Sequence, residues 1–350
     1  MLDRLVQLSA AGRRAAIATV IRIEGSAYRG PGAKLLVEDS GDSLGSVSGG
    51  CLEADLREVA LDVLRSGNPA VRLYDTGSDD SEPWGLGLGC NGTVETFVQP
   101  FTSAEARAAA AQVRELLDGD DVFAVATLVE GSVAGRALVV SEAGSSGTTG
   151  DAELDAAIVD ASRLRLADRR TSTLELGQGR LFVEVHVPPS HLVVFGAGDD
   201  AMPLVAAASA AGFRVTVCDH RPAFLTGERF GNARRRFIVD EDTWDELPLG
   251  EDTFAVVMAH AIEHDQRYLA DLLETPVPYI GLLGPRDRAE DLLDGAPRTA
   301  RERVYAPIGL DIGAEGPEQI AVCVVAEVLA ARAGRAGGHL REREDAIHAP

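Results

Sequence analysis

Apolar residues recur along this chain in two rhythms. Up to about residue 190, short runs rich in Val, Ile, Leu and Ala alternate with turn residues and a few helical stretches. Residues 2–12 read as a short helix, and residues 15–23, 34–38, 43–47 and 71–74 as strands. Leu52, Leu56 and Val59 recur at helical spacing through Leu64, which predicts a helix. A strand over 93–98, ended by Pro100, closes this first part. Residues 101–190 then repeat the plan. Ala124-Val125-Ala126-Thr127 echoes Ala16-Ile17-Ala18-Thr19, and Gly135-Arg136-Ala137-Leu138 echoes Gly32-Ala33-Lys34-Leu35. A helix near 152–166 and strands near 172–176 and 181–187 follow. A decayed duplication would explain the echo, and so would chance.

From His191 the rhythm changes to strands alternating with helices. Strands are predicted at 191–195, 214–218, 237–239, 254–259 and 279–283. Helices are predicted at 202–211, 265–274, 286–293 and 316–332. Buried parallel strands with crossover helices give this pattern. The fold class is therefore α/β: an N-terminal mixed α/β unit with a candidate internal repeat, followed by a Rossmann-like doubly wound parallel sheet. The expected division is 1–100, 101–190 and 191–335, with a charged tail over 336–350.

Composition narrows the function classes. A net charge of −22 argues against nucleic acid and against anionic membrane surfaces as partners. The four cysteines, Cys51, Cys90, Cys218 and Cys323, lie far apart, which is no secreted disulfide framework. No signal peptide opens the chain and no apolar run is long enough to span a bilayer, so a cytoplasmic location is expected. Lys34 is the single lysine; every other basic residue bar the histidines is arginine.

Candidate chemistry gathers in two places. In Ser46-Val47-Ser48-Gly49-Gly50-Cys51-Leu52-Glu53 a glycine pair ends a strand, a cysteine follows near a helix N-terminus, and the helix begins. The free N–H groups of a helix N-terminus favour a thiolate, while Glu53 and Asp55 oppose it. Cys90 arrives from a second glycine loop, Gly87-Leu88-Gly89-Cys90-Asn91-Gly92. A thiolate near Lys34 or Arg29 would suit a soft metal or sulfur transfer. Two buried structural cysteines fit the same pattern. The second place is Gly196-Ala197-Gly198-Asp199-Asp200-Ala201, set between a strand and a helix, with Asp219 at the end of the next strand. This spacing is the dinucleotide fingerprint, and it points to NAD(P) or another nucleotide. Asp199 and Asp200 would repel phosphate there, so a sheet that merely keeps its turn fits too. His260-Ala261-Ile262-Glu263-His264 matches a zinc-protease pattern, but it directly follows a strand. His260, His264 and Asp265 then face the sheet crevice or are solvated residues of a helix start.

With these motifs in hand, the chain resembles the XdhC/CoxI family of xanthine-dehydrogenase accessory proteins. The N-terminal resemblance rests on Pro31-Gly32-Ala33-Lys34, the Ser46–Glu53 stretch and the Gly87–Gly92 loop. The C-terminal resemblance rests on Val256-Val257-Met258-Ala259-His260 with Glu263-His264-Asp265, on Tyr279-Ile280-Gly281-Leu282-Leu283-Gly284, and on Pro307-Ile308-Gly309-Leu310-Asp311. It departs at Asp199, where such proteins often carry histidine. The resemblance implies a maturation factor that binds the molybdenum cofactor, a molybdopterin, and delivers it to a xanthine-dehydrogenase-type molybdenum enzyme. On that analogy Lys34, Ser48, Gly49, Gly50, Cys51, Glu53, Gly89 and Cys90 hold the cofactor, with Cys51 as metal ligand. The nucleotide site does not follow from the analogy; the fingerprint and the strand-end placement are what would set Gly196, Gly198, Asp219, His260 and Asp265 around it. A cysteine desulfurase is a second expected partner and a homodimer the expected assembly. Two alternatives stay open: an NAD(P)-dependent oxidoreductase, and an enzyme transferring sulfur or a nucleotidyl group to the cofactor. No proton-transfer machinery is evident, which suits a carrier better than an enzyme.

Overall fold

The computed structural model describes residues 1–25, 27–75, 92–101, 104–177, 179–293, 297 and 301–342. The chain divides into two compact units, Met1–Pro188 and Pro189–Pro350.

The first unit begins with α1 (Leu2–Ala10), β1 (Ala15–Gly25), β2 (Lys34–Glu38), β3 (Ser43–Gly45), α2 (Glu53–Ser66), β4 (Ala70–Asp75) and β5 (Gly92–Phe101). It continues with α3 (Ala104–Asp118), β6 (Phe123–Leu128), β7 (Ala137–Ser141), β8 (Gly144–Ser146), α4 (Ala152–Asp168), β9 (Ser172–Leu176) and β10 (Gly179–His186). The strands form two antiparallel sheets with the same order, β3-β2-β1-β5-β4 and β8-β7-β6-β10-β9. Alternation explains how each sheet is covered. Ala16, Ala18, Val20, Leu35 and Val37 face α2 through Leu56, Val59 and Val63. In the second sheet Ala124, Ala126, Leu138 and Val183 pack on Ile158 of α4. The opposite faces of the two sheets meet through Ile21, Phe97, Val129 and Phe182.

One expectation fails in an instructive way. The strand predicted to stop before Pro100 runs on to Phe101. Pro100 lies past the last β4 pair, Ala70–Val98, and only β1 flanks it there. A residue without an N–H is tolerated at such a half-open position.

The second unit holds β11 (His191–Phe195), α5 (Ala201–Ala210), β12 (Arg214–Asp219), β13 (Arg235–Ile238) and β14 (Thr253–Val257). After these come α6 (Ile262–Leu273), β15 (Tyr279–Leu282), α7 (Arg286–Leu292), β16 (Val304–Tyr305) and α8 (Pro317–Arg332). Six parallel strands run in the order β13-β12-β11-β14-β15-β16. α5 and α8 cover one face, with Leu204, Val205, Val324 and Val328 buried against Leu192, Val194 and Val256. α6 covers the other through Tyr268, Leu269 and Leu272. The order reverses between β11 and β14, which opens a crevice at the carboxyl ends of those strands.

Candidate functional site

The turn between β3 and α2 is built around one carboxylate. Glu53 sits in the first turn of α2 and folds back on the chain that precedes it. Its Oε1 accepts from Ser46 Oγ at 2.8 Å and from the Val47 and Ser48 N–H groups at 3.0 Å each. Its Oε2 accepts from Ser48 Oγ at 2.5 Å and from the Gly50 N–H at 2.9 Å. Ser48 Oγ in turn accepts from the Leu52 N–H at 2.8 Å. Burial pushes the Glu53 carboxyl up, but the donors on Ser48, Ser46 and Val47 outweigh it and hold it down at about 2. Tyr28 closes the turn from the other side: a Cβ on Gly49 would come within 3.0 Å of its ring, and Gly49 also has φ +79°. Both conditions require glycine.

The amides of the glycine turn are not open to a phosphate, because the Glu53 carboxylate already fills the nest they form. Glu53 therefore shapes the turn. Leu52 is the N-cap of α2, and Cys51 stands exposed on the turn just before it. Ser48, Gly49, Gly50 and Cys51 thus form a rigid loop whose tip presents a sulfur to solvent. A soft donor held this way loses little freedom on meeting a metal. Gly89 and Cys90 lie outside the described residues. Lys34 is committed elsewhere: its Nζ donates to Gly32 O at 3.1 Å and forms a close ion pair with Glu184 on β10.

In the second unit the glycine turn Gly196–Gly198 follows β11. A Cβ on Gly196 would lie 2.4 Å from Met258 O, so the turn presses on the end of β14. Asp219 is buried beneath it. It accepts from the Ala197 N–H at 2.7 Å, from the Arg221 N–H at 2.8 Å, and from the Arg221 guanidinium at 2.9 Å. Asp219 thus pins the turn through Oδ2 and holds Arg221 with both oxygens. Asp265, equally buried, accepts from the Ala259 N–H at 3.0 Å and from Arg288 Nη2 at 2.5 Å, and pins the next strand end the same way. Asp199 is paired with Arg229 at 2.8 Å. His260 precedes α6 with a left-handed backbone, φ +60°, uncommon outside glycine. Its Nε2 is 3.4 Å from Asp200 Oδ2 at the crevice mouth. His264 lies on α6 and stacks on His220 with centroids 3.9 Å apart. His260 and His264 therefore do not share a helix face, which the zinc-protease pattern needs. Asp200 also lines a mainly apolar cleft with Leu204, Met258, Leu283 and Ile308, whose empty volume is about 310 Å³, part of it open solvent. Among the described residues no three His, Cys, Asp or Glu side chains converge as a metal cage.

The description "XdhC and CoxI family" matches residues 8–75, and "XdhC Rossmann domain" matches residues 192–328. A relative from Bacillus subtilis, named as one of the subunits of a probable xanthine dehydrogenase, is 36% identical over 336 residues, 95% of this chain and 96% of its own. The chain belongs to the XdhC/CoxI family. A solved structure titled as a xanthine dehydrogenase from Bacillus halodurans superposes with a TM-score of 0.77 at 32% identity, covering 98% of both chains. The Escherichia coli "Molybdenum cofactor insertion chaperone PaoD" is 34% identical over 101 residues, 29% of this chain and 30% of its own. The Cys51 turn falls within the XdhC/CoxI match, and the Gly196–Asp265 crevice within the XdhC Rossmann match. Glu184 falls in neither, and no local pattern pointed to it; the single lysine was the only signal.

Proposed function

We propose that this XdhC/CoxI protein is an accessory factor that binds molybdenum cofactor and assists its maturation and insertion into a xanthine-dehydrogenase-type hydroxylase. The observation that carries this reading is the Cys51 turn: an exposed sulfur on a loop that Glu53, Ser46 and Ser48 hold rigid. The donor set fits the group. Cys51 offers a soft ligand for molybdenum or for its sulfido sulfur, and Ser48, Gly49 and Gly50 give the turn its shape. Glu53 acts from behind, by fixing the turn. Gly89 and Cys90 are proposed as the second wall of the same cleft. Similarity over nearly the whole length to one XdhC-type relative, and over a shorter stretch to a cofactor insertion chaperone, supports the role. A xanthine-dehydrogenase-type enzyme is the proposed client, a cysteine desulfurase a further partner, and a cytoplasmic homodimer the proposed form. No described helix is long and apolar enough to cross a membrane.

In the second unit, Gly196, Gly198, Asp219, His260 and Asp265 frame the proposed nucleotide crevice. Asp219 and Asp265 support it from below; His260 with Asp200 faces its mouth. The reading is tested by transfer. Cofactor-loaded protein mixed with cofactor-free xanthine dehydrogenase should restore hydroxylase activity faster than the same amount of free cofactor. Equal rates would remove the insertion role.

A further inference from the structure

The first unit contains its own control. Thr19 pairs with Lys34 and with Phe97, and Thr127 pairs with Ala137 and with Phe182. β1, β2 and β5 therefore correspond to β6, β7 and β10. Further along, Ile17–Gln99 corresponds to Val125–Glu184, and Ala15–Phe101 to Phe123–His186. The turns agree as well. Asp155, in the first turn of α4, accepts from Thr148 Oγ1 and the Thr149 N–H, as Glu53 does from Ser46 Oγ and the Val47 N–H. A Cβ on Gly32 would lie 3.3 Å from Glu184 Oε1, and one on Gly135 3.5 Å from Gln99 Oε1. The two positions are equivalent in space.

What they carry differs. One has Lys34, Glu184 and His186; the other has Ala137, Gln99 and Phe101. The architecture needs none of these charges, since the second position folds without them. A part-buried ion pair is also a poor source of stability. Glu184 is held between two basic groups. One oxygen takes Lys34 Nζ, and the other lies 3.7 Å from His186 Nε2. His186 is itself stacked on Phe123 at 4.7 Å. Burial pushes the Glu184 carboxyl up, yet His186 and Lys34 together hold it below its ordinary range, so it stays charged. The side chains of Lys34, Glu184 and His186 are 28%, 15% and 24% exposed, so solvent reaches the cluster.

We propose that Lys34 and His186 form a binding site for a phosphate monoester dianion, with Glu184 as an internal counter-ion that the ligand displaces. Lysine serves phosphate as a point charge, and a histidine ring N–H can donate to a phosphate oxygen. A dianion brings twice the carboxylate's charge to the same two partners. The site stands on this cluster alone; where the carrier reading also holds, the phosphate is that of the pterin.

Calorimetric titration of inorganic phosphate into the full-length protein tests it. Glu184→Gln should bind phosphate about tenfold more tightly than wild type, because a like charge leaves the site. Lys34→Met should lose binding. Glu142→Gln, which removes an exposed carboxylate elsewhere, should match wild type. The double variant Lys34→Met, Glu184→Gln removes the ion pair that the equivalent position lacks, so it should fold normally by circular dichroism and lose binding as Lys34→Met does. Equal affinity in wild type and Glu184→Gln, retained binding in Lys34→Met, or the same gain in Glu142→Gln would overturn the site. Competition by isolated molybdopterin then names the source. Displacement of bound phosphate assigns the pterin, and no displacement assigns free phosphate or another phosphate ester; each supports the site once Lys34 and Glu184 control binding.

Discussion

Cys51→Ser is expected to lower molybdenum cofactor loading at least tenfold while leaving the fold intact. The side chain is exposed on the turn, so the exchange removes no packing and falls within about 0.5 kcal/mol of wild-type stability. What it removes is the soft donor: a hydroxyl is a far poorer partner for molybdenum or a sulfido group. Cys218 and Cys323 are buried in β12 and α8 and serve as controls. Cys218→Ala and Cys323→Ala should lose some stability and keep their loading. Molybdenum per chain, compared with the thermal midpoint for each variant, separates the two effects. Wild-type loading in Cys51→Ser would remove it as a ligand and leave retention to the rest of the turn.

Glu53→Ala should have the largest effect on the turn itself. It leaves the Val47, Ser48 and Gly50 N–H groups and two serine hydroxyls without their common acceptor. A loss of about 2 kcal/mol is expected, since part of the turn can recruit water. Loading should fall with it, because Cys51 loses its fixed position. The charge makes a separate, pH-dependent contribution. Folding holds the Glu53 carboxyl at about 2, below its ordinary 4.5. The stabilisation is therefore fully present above about pH 4.5 and is lost as the pH falls toward 2. Against burial, which pushes both up, the Asp219 and Asp155 carboxyls are also held below their ordinary value, by Arg221 and the Ala197 N–H in one case and by Thr148 and Thr149 in the other. The difference between wild type and Glu53→Gln isolates this one: wide at neutral pH and closing in acid. A gap that stays constant down to pH 2 would show that the charge plays no part.

The fold class was legible because hydrophobic spacing is a local property. Continuous apolar strands after His191 announce a parallel sheet, and the echo of Ala16–Thr19 in Ala124–Thr127 marks matching central strands of two sheets. The Gly49-Gly50-Cys51 turn was legible for the same reason. Partnerships made by folding were not. Glu53 reads as an acid that suits a helix start, yet it acts backward on five donors. Asp219 stands where a ribose contact is expected, and its oxygens instead hold Ala197 and Arg221. Lys34 reads as a cation for the cysteine loop, and it pairs with a residue 150 positions away. Side chains that reach across sheets leave no periodic trace in sequence.

The proposed function turns on whether the Cys51 turn carries molybdenum cofactor. The most direct measurement is molybdenum and pterin content, by elemental analysis and by fluorescence of the oxidised pterin. It is made on wild-type and Cys51→Ser protein purified from a host that makes molybdopterin. Molybdenum and pterin are expected in equal amounts on the wild type, with a tenfold or greater loss of both on the variant. Wild-type protein free of both, from a host whose own molybdenum enzymes are loaded, would contradict it.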